Sequence, residues 1–278
     1  MPNNPYADQI RALEQAGHFD QDVRPVDPRL VQPLDPDKFR YRPRNPFAKL
    51  WSAIVRVFVW LAGPILTWAA FDLRVKGKKH LRQLGKRGAI VVTNHVHLLD
   101  PLIVRQMSRT RRMYYLAAEF NNKKGIGGYT LRVVGVLPIS SSLKLTRQLD
   151  NTVTDLLHHR RLLTIYAEES LWSGYQKIRP LKKGAFYYAV KNDCPVVPSV
   201  ILFRPAKWLD RLIGRRVKIT LQILPPVFPD PALDRPTNVT NLQTACHAAM
   251  VDCASNFYHT DANATHYQTT TPTDTNQQ

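Results

Sequence analysis

Short apolar segments alternate with amphipathic segments from about Lys76 onwards, and this alternation is the strongest constraint that the sequence places on the fold. The apolar runs have the length of β-strands and lie at 89–94, 113–118, 133–139, 162–168, 196–203 and 217–224. Helical periodicity lies between several of them, at 99–109, 144–160 and 182–192. This repeat predicts an α/β fold in which a twisted mixed, largely parallel β-sheet is flanked by helices. In such sheets, sites gather where strands end in loops.

The two ends of the chain differ from this central region. Residues 1–45 hold one short helical pattern and then proline-punctuated sequence, which predicts a polar, Pro-rich N-terminal arm. Residues 259–278 are rich in Thr, Asn and Gln and predict a disordered tail after a final helix at 238–258. With a membrane-associating helical segment at 46–75, the folded domain is expected at 76–258.

The prediction of a membrane-associating segment is based on the apolar run VFVWLAGPILTWAAF at 57–71. Its fifteen residues are fewer than the roughly 20 that span a bilayer, and Gly63 and Pro64 are expected to interrupt its helix. Insertion into one leaflet is therefore favoured over crossing, and a buried core helix is the alternative. The N-terminus lacks the apolar run of a secretory signal. The protein is expected at the cell membrane, peripheral or monotopic on the cytoplasmic face.

The charge of the chain favours an anionic partner. The formal net charge is +18, and all 39 lysines and arginines lie at or before Arg235. Such a field suits a polyanion or an anionic bilayer, and charge alone does not choose between them. Residues 105–147 contain nine of these cations and a single acid, Glu119, which suits anionic headgroups, an acidic carrier protein or CoA phosphates. A solvated basic face is the alternative, and KKGIGG at 123–128 predicts a flexible loop closing over a donor.

The three cysteines form an odd set without CxxC spacing, so neither a disulfide framework nor a zinc site is expected. No metal site is predicted elsewhere in the chain.

The motif NHVHLLDP follows the strand AIVVT and separates His95 from Asp100 by four residues. Histidine is the side chain best suited to take a proton from an alcohol near neutral pH, and a carboxylate holds its ring in one tautomer. If a helix starts near Asp100, its carboxylate can fold back onto the Nδ1 atom of His95. The alternative is that Asp100 caps a helix whose first residue is Pro101. His97 is expected to point away from His95.

This motif resembles the first block of the glycerolipid acyltransferase family, which includes the lysophosphatidic acid acyltransferases. Three later segments are similar to further blocks of that family in order and spacing. YAEESLW at 166–172 resembles its FPEGTRS block, LKKGAFYYA at 181–189 its lysine and glycine block, and PVVPSVI at 195–201 its last strand. The resemblance covers residues 76–225, and it implies the glycerolipid acyltransferase fold with an acyltransferase domain at 76–258.

The resemblance implies a mechanism in which His95, oriented by Asp100, deprotonates the acceptor hydroxyl. The oxygen then attacks the thioester of acyl-CoA or acyl carrier protein, which are co-substrates, and no cofactor is needed. The acceptor or oxyanion site is expected to contain Asn94, Glu168, Ser170, Lys177 and Arg179, together with backbone amides of the turn at 166–170. The donor or another anion is expected to bind to Lys144, Lys182, Lys183 and Gly184.

Two positions depart from the pattern of the family. Ser141 and Leu171 stand where the family has arginines that bind the acceptor phosphate. Neither side chain can form the bidentate, charge-assisted contact that a guanidinium makes with phosphate. Nearby cations can rebuild a phosphate site, namely Lys144, Arg147, Lys177 and Arg179. Alternatively, the acceptor is another alcohol, such as a glycolipid or a lysophospholipid.

These observations predict an enzyme that moves a fatty acyl group to a lysophospholipid-like or glycolipid hydroxyl at a membrane surface. Its expected partners are anionic membrane lipids, acyl-CoA or acyl carrier protein, and the hydroxyl acceptor. The alternative is a non-catalytic lipid-binding or scaffold protein on the same fold. The pair of His95 and Asp100 argues against this alternative, because binding alone does not require it. Nucleic-acid binding rests only on charge and is not expected.

Overall fold

A seven-stranded β-sheet organises the chain. The computed structural model describes residues 4–42, 45–212, 214–215 and 217–260. The strands are β1 (Arg74–Lys76), β2 (Ala89–Thr93), β3 (Met113–Ala117), β4 (Val136–Pro138), β5 (Leu162–Ile165), β6 (Val196–Pro205) and β7 (Val217–Ile223). Their order in the sheet is β1-β7-β6-β2-β5-β3-β4. The β6–β7 pair is antiparallel and the other neighbouring strands are parallel, which confirms the predicted mixed, largely parallel sheet.

Eight α-helices accompany the strands within the described residues. They are α1 (Ala7–Gln15), α2 (Pro46–Phe71), α3 (Asp100–Arg105), α4 (Gly125–Val134), α5 (Leu143–His158), α6 (Gly184–Lys191), α7 (Trp208–Leu212) and α8 (Arg235–Thr260). Short 3-10 turns lie at Pro28–Leu30, Lys78–Leu84 and Glu119–Asn121. Helix α8 ends at Thr260, so the first two residues of the predicted tail are helical. The rest of that tail, 261–278, lies outside the described residues.

The core lies on both faces of the sheet. Every residue of β2 is buried, and its side chains alternate between the two faces. Ile90 and Val92 pack with the apolar residues of α5, α6 and α8, whereas Ala89 and Val91 pack with those of α3. Because β2 is the central strand and is covered on both faces, the residues that follow it are held in a fixed position.

Two sequence predictions about helices are corrected by the structure. Helix α2 runs through Gly63 and Pro64 without ending, because the φ angle of proline is compatible with a helix and only one backbone hydrogen bond is lost. Its 26 residues are long and apolar enough to cross a membrane by length and composition, and the helix is mostly exposed rather than buried in the core. The predicted loop at 123–128 contains the start of α4. A Cβ atom at Gly128 would lie 1.7 Å from the carbonyl oxygen of Lys123, so the glycine is required for this close packing.

Candidate active site

His95 lies just beyond the carboxyl end of β2, at the middle of the sheet. The loop 94–99, called the histidine loop, leads from β2 into α3, whose first residue is Asp100. The neighbouring strand β5 is parallel to β2, so the loop that follows β5 at 166–183, called the β5 loop, reaches the same edge. Backbone hydrogen bonds join the two loops, from Trp172 N to His95 O and from Gly174 N to Val96 O, at 3.1 and 2.8 Å.

The structure brings His95 and Asp100 into contact. His95 Nδ1 lies 2.9 Å from Asp100 Oδ2, and this carboxylate oxygen also accepts the backbone N–H groups of Val96 and His97 at 2.7 and 2.9 Å. Asp100 is fully buried, so its orientation is fixed by these donors. A carboxylate at Nδ1 favours the tautomer protonated there, which leaves the basic lone pair on Nε2.

The alternative reading of Asp100 as a helix cap is wrong. Leu99 occupies the N-cap position of α3, and no side chain caps the helix. The Asp100 carboxylate turns back to N–H groups that precede it in the chain, whereas a capping side chain binds those that follow. Pro101 does lie in the first turn of α3, as predicted.

Tyr166 is a contact of His95 that the sequence patterns do not reveal. Its ring stacks on the imidazole with centroids 4.1 Å apart. Burial raises the pKa of Tyr166 well above its ordinary value, and the charge of Asp100 acts in the same direction. The phenol therefore stays neutral and packs against one face of the His95 ring. His97 makes an edge contact with Phe71 instead, and burial lowers its pKa.

Glu168 and Arg179 form a fully buried ion pair behind the histidine loop. Glu168 Oε2 lies 2.8 Å from Arg179 Nη2 and also accepts the His95 backbone N–H at 3.1 Å. Oε1 of Glu168 accepts the backbone N–H of Arg179 at 2.9 Å. This geometry corrects the expectation that both residues face the acceptor, because their charges are used to fix His95 and the β5 loop.

Ser170 belongs to the same buried network. It is 2% exposed, its hydroxyl accepts Arg179 Nη1 at 2.7 Å, and its carbonyl accepts Arg179 Nη2 at 2.5 Å. Nearby turn amides are also engaged, since Glu169 N donates to Tyr166 O and Ser170 N to Glu168 O, both at 2.9 Å. The predicted oxyanion role of this turn is therefore corrected for the amides of 169 and 170.

Asn94 does not face the reacting groups. Its side chain is 1% exposed, donates to Ile201 O at 3.0 Å and accepts Ile201 N at 2.8 Å. The amide thus extends the pairing of β2 with β6 by one residue. The expectation that Asn94 holds an oxyanion is corrected, because both ends of its amide are bound to backbone.

The predicted lysines lie on the surface around the same edge of the sheet. Lys177 and Lys182 follow β5, and Lys144 lies in the first turn of α5. Lys183 precedes α6 and is exposed, as is Gly184, the first residue of that helix. A Cβ atom at Gly184 would meet open space, so no close backbone approach within the chain requires this glycine. Among the described residues, no group of three or more His, Cys, Asp or Glu side chains is placed to hold a metal ion.

The N-terminal arm reaches the site, and no sequence signal indicated this. Phe19 O accepts Arg179 Nη1 at 2.8 Å, and Gln21 O accepts Trp172 Nε1 at 2.9 Å. Trp172 is fully buried in a small apolar cluster with Ile10 and Val23 of the arm. The arm is therefore part of the wall around the β5 loop.

An apolar cavity of about 480 Å³ opens beside the histidine loop. It lies between α2, α3 and α4, and its volume is within the usual range of about 300–1,000 Å³ for ligand sites. Leu98 and Leu99, which line it, belong to the loop that carries His95. The other lining residues are Ala53, Arg56, Val57, Val59, Trp60, Pro101, Leu102, Arg105, Arg112, Tyr115, Leu131 and Val134.

One family profile agrees with the sequence motifs. Residues 72–202 match the profile of the Acyltransferase family. A similar solved structure is the 1-acyl-sn-glycerophosphate (LPA) acyltransferase PlsC from Thermotoga maritima, with 22% sequence identity and a TM-score of 0.49. The match covers 75% of this chain and 81% of that chain. No curated protein matches the sequence at a significant level.

Proposed function

We propose that this chain, whose residues 72–202 match the Acyltransferase family profile, moves a fatty acyl group from a thioester to the hydroxyl of an amphiphile at a membrane surface. The donor is acyl-CoA or an acyl carrier protein. The observation that carries the proposal is the 2.9 Å contact between His95 Nδ1 and the buried Asp100 carboxylate at the end of the central strand. This pair has the geometry of a general base held in one tautomer.

In the proposed reaction, Nε2 of His95 takes the proton of the acceptor hydroxyl while its oxygen attacks the thioester carbonyl. The C–O bond of the ester forms, the C–S bond breaks, and the proton passes from His95 to the leaving thiolate. Asp100 stabilises the imidazolium that exists between these two transfers. Tyr166 and Glu168 keep the ring and the backbone of His95 in place.

The experiment that tests the function is a thiol-release assay on the full-length protein in detergent or bilayers. Acyl-CoA and acyl carrier protein are offered in turn, with acceptors that carry a free hydroxyl. We expect release of one thiol for each ester formed. A folded protein that releases no thiol with any acceptor contradicts the proposal and favours a lipid-binding protein without activity.

The cavity beside the histidine loop is suited to the acyl chain of the donor. Its walls are mostly apolar, and burial of each methylene contributes about 0.8 kcal/mol. Arg56, Arg105 and Arg112 also line the cavity. These guanidinium groups can bind a phosphate of acyl-CoA or a carboxylate of an acyl carrier protein. The depth of this cavity then limits the length of the chain that is transferred.

We expect the substitution Ala53→Trp to shorten the preferred acyl chain, because Ala53 lines the cavity. The rate with a 16-carbon thioester should fall at least about 10-fold, while that with a 6-carbon thioester changes less than about 2-fold. Ile54→Trp is the matched control, since Ile54 lies next to Ala53 on α2, is 52% exposed and does not line the cavity. Equal losses with both chain lengths, or in both variants, contradict this assignment.

Helix α2 is the proposed site of membrane attachment. Most of its large apolar side chains are exposed, and Phe58, Ile65 and Trp68 are each more than 60% exposed. Its buried positions, Ser52, Gly63, Thr67 and Phe71, lie on the opposite side against the domain. This one-sided packing supports a helix that lies with its exposed face in the bilayer.

We expect the double substitution Phe58→Glu and Ile65→Glu to lower binding to anionic vesicles at least about 10-fold, because carboxylates are costly in an apolar bilayer. Vesicle sedimentation measures the effect. Gln9→Glu with Asn151→Glu is the control, since it adds the same charge at exposed positions outside α2. Similar losses in both variants would attribute binding to charge alone rather than to the apolar face of α2.

A further inference from the structure

Three of the four lysines that the sequence offered as anion ligands are each paired with an acidic residue of the N-terminal arm, here residues 4–42. The pairs are Lys144 with Asp37 at 2.6 Å, Lys177 with Glu14 at 2.7 Å, and Lys182 with Asp20 at 2.9 Å. Each pair joins residues more than 100 positions apart in the chain. The arm therefore supplies a carboxylate to each of these three cations.

The hydrogen-bond donors of Arg179 are also used within the protein. A guanidinium has five N–H donors, and all five are used, by Glu168 Oε2 twice, Phe19 O, Ser170 Oγ and Ser170 O. The side chain is buried, and it stacks over the Trp172 ring at 4.6 Å. Binding a phosphate at Arg179 would require that the ion pair with Glu168 be broken.

Asp22 adds a negative charge at the same place. It lies between Gln21, whose carbonyl binds Trp172, and the buried Val23. Partial burial raises the pKa of Asp22, while the Leu171 backbone amide and the charges of His95 and Arg179 lower it. Asp22 therefore lies on the stretch of the arm whose carbonyls, at Phe19 and Gln21, contact the β5 loop.

We propose that the N-terminal arm determines acceptor specificity, and that it selects an uncharged amphiphilic alcohol over one that carries a phosphate monoester. A phosphate brought to this site meets cations that are already paired and the additional carboxylate of Asp22. Like-charge contacts of this kind are a general means of excluding a wrong partner. This inference rests on the proposed acyl transfer, and it names the class of alcohol that receives the chain.

The first test compares a monoacylglycerol with a lysophosphatidic acid of the same chain length in the thiol-release assay. We expect kcat/KM to be at least about 10-fold higher for the monoacylglycerol. Equal values, or a preference for the phosphate acceptor, overturn the inference and leave the proposed function standing.

The second test removes the arm carboxylates that face the β5 loop, by Glu14→Gln, Asp20→Asn and Asp22→Asn together. We expect kcat/KM for lysophosphatidic acid to rise about 10-fold, with less than about 2-fold change for the monoacylglycerol. The control combines Asp8→Asn, Asp27→Asn and Asp35→Asn. These three acids pair with Arg11, Arg29 and Lys38 within the arm. The control therefore changes the net charge by the same amount but leaves the ion pairs of Lys177 and Lys182 in place. A rise of the same size in the control overturns the inference.

A binding measurement separates this inference from the proposed function. Titration calorimetry with glycerol 3-phosphate is expected to show binding at least about 10-fold tighter to the triple variant than to the unmodified protein and the control. If neither acceptor supports thiol release, the proposed function fails. Tighter binding of glycerol 3-phosphate to the triple variant would still support the inference that the arm carboxylates repel phosphate. Equal binding to the triple variant and the unmodified protein overturns that inference. The single variant Asp22→Asn is measured instead if the triple variant does not fold.

Discussion

Replacing His95 by alanine is expected to lower kcat at least about 100-fold, because general-base catalysis contributes roughly 10²–10⁴. The imidazole is the group that takes the hydroxyl proton in the proposed reaction, and alanine has no atom that can replace it. Thiol release under saturating acceptor measures the loss. The fold should survive, since the imidazole is 20% exposed and the buried Glu168–Arg179 pair remains in place.

His158→Ala is the control for this prediction. His158 lies in the last turn of α5, beside a pocket formed with Lys86 and Asn192, and it is exposed. Its removal should change kcat less than about 2-fold. Vesicle binding should be unchanged in both variants, because α2 is untouched. Full activity of His95→Ala contradicts the mechanism, and a parallel loss of vesicle binding points to misfolding instead.

The contact of His95 with Asp100 could be predicted because it is local. Both residues belong to one loop that leaves a buried strand and enters a helix, so the chain geometry alone brings them together. The strands β2 to β7 could be predicted for a similar reason, since each coincides with an apolar run. Strand β1 could not, because Arg74 and Lys76 flank its one apolar residue and the strand is only three residues long.

The surroundings of the site could not be predicted, because they depend on contacts between distant segments. Phe19 and Gln21 bind the β5 loop through their backbone carbonyls, which every residue possesses, so no side-chain pattern marks them. A carboxylate or guanidinium in a loop that follows a strand can point either to solvent or to the interior. Glu168 and Arg179 point to the interior, where each satisfies the other, and the sequence resemblance assigned them instead to the acceptor.

The buried pair of Glu168 and Arg179 is expected to contribute strongly to stability. Replacing Arg179 by methionine is expected to lower the free energy of unfolding by about 3–5 kcal/mol, because Glu168 is left as an uncompensated buried charge. The carbonyls of Phe19 and Ser170 also lose a donor, which loosens the arm. Denaturant unfolding measures the effect. Lys191→Met is the control, since its pair with Asp150 is about 30% exposed and should contribute at most about 1 kcal/mol.

The double variant Glu168→Gln with Arg179→Met separates the charge from the packing. Glutamine keeps a carbonyl oxygen that can accept the His95 N–H, and it carries no charge, so about half of the lost stability should return. If the buried charge is the cause, the double variant is therefore more stable than Arg179→Met alone. If the double variant is the less stable one, the loss comes from the five hydrogen bonds of the guanidinium, and Arg179 then stabilises the arm more than it compensates Glu168.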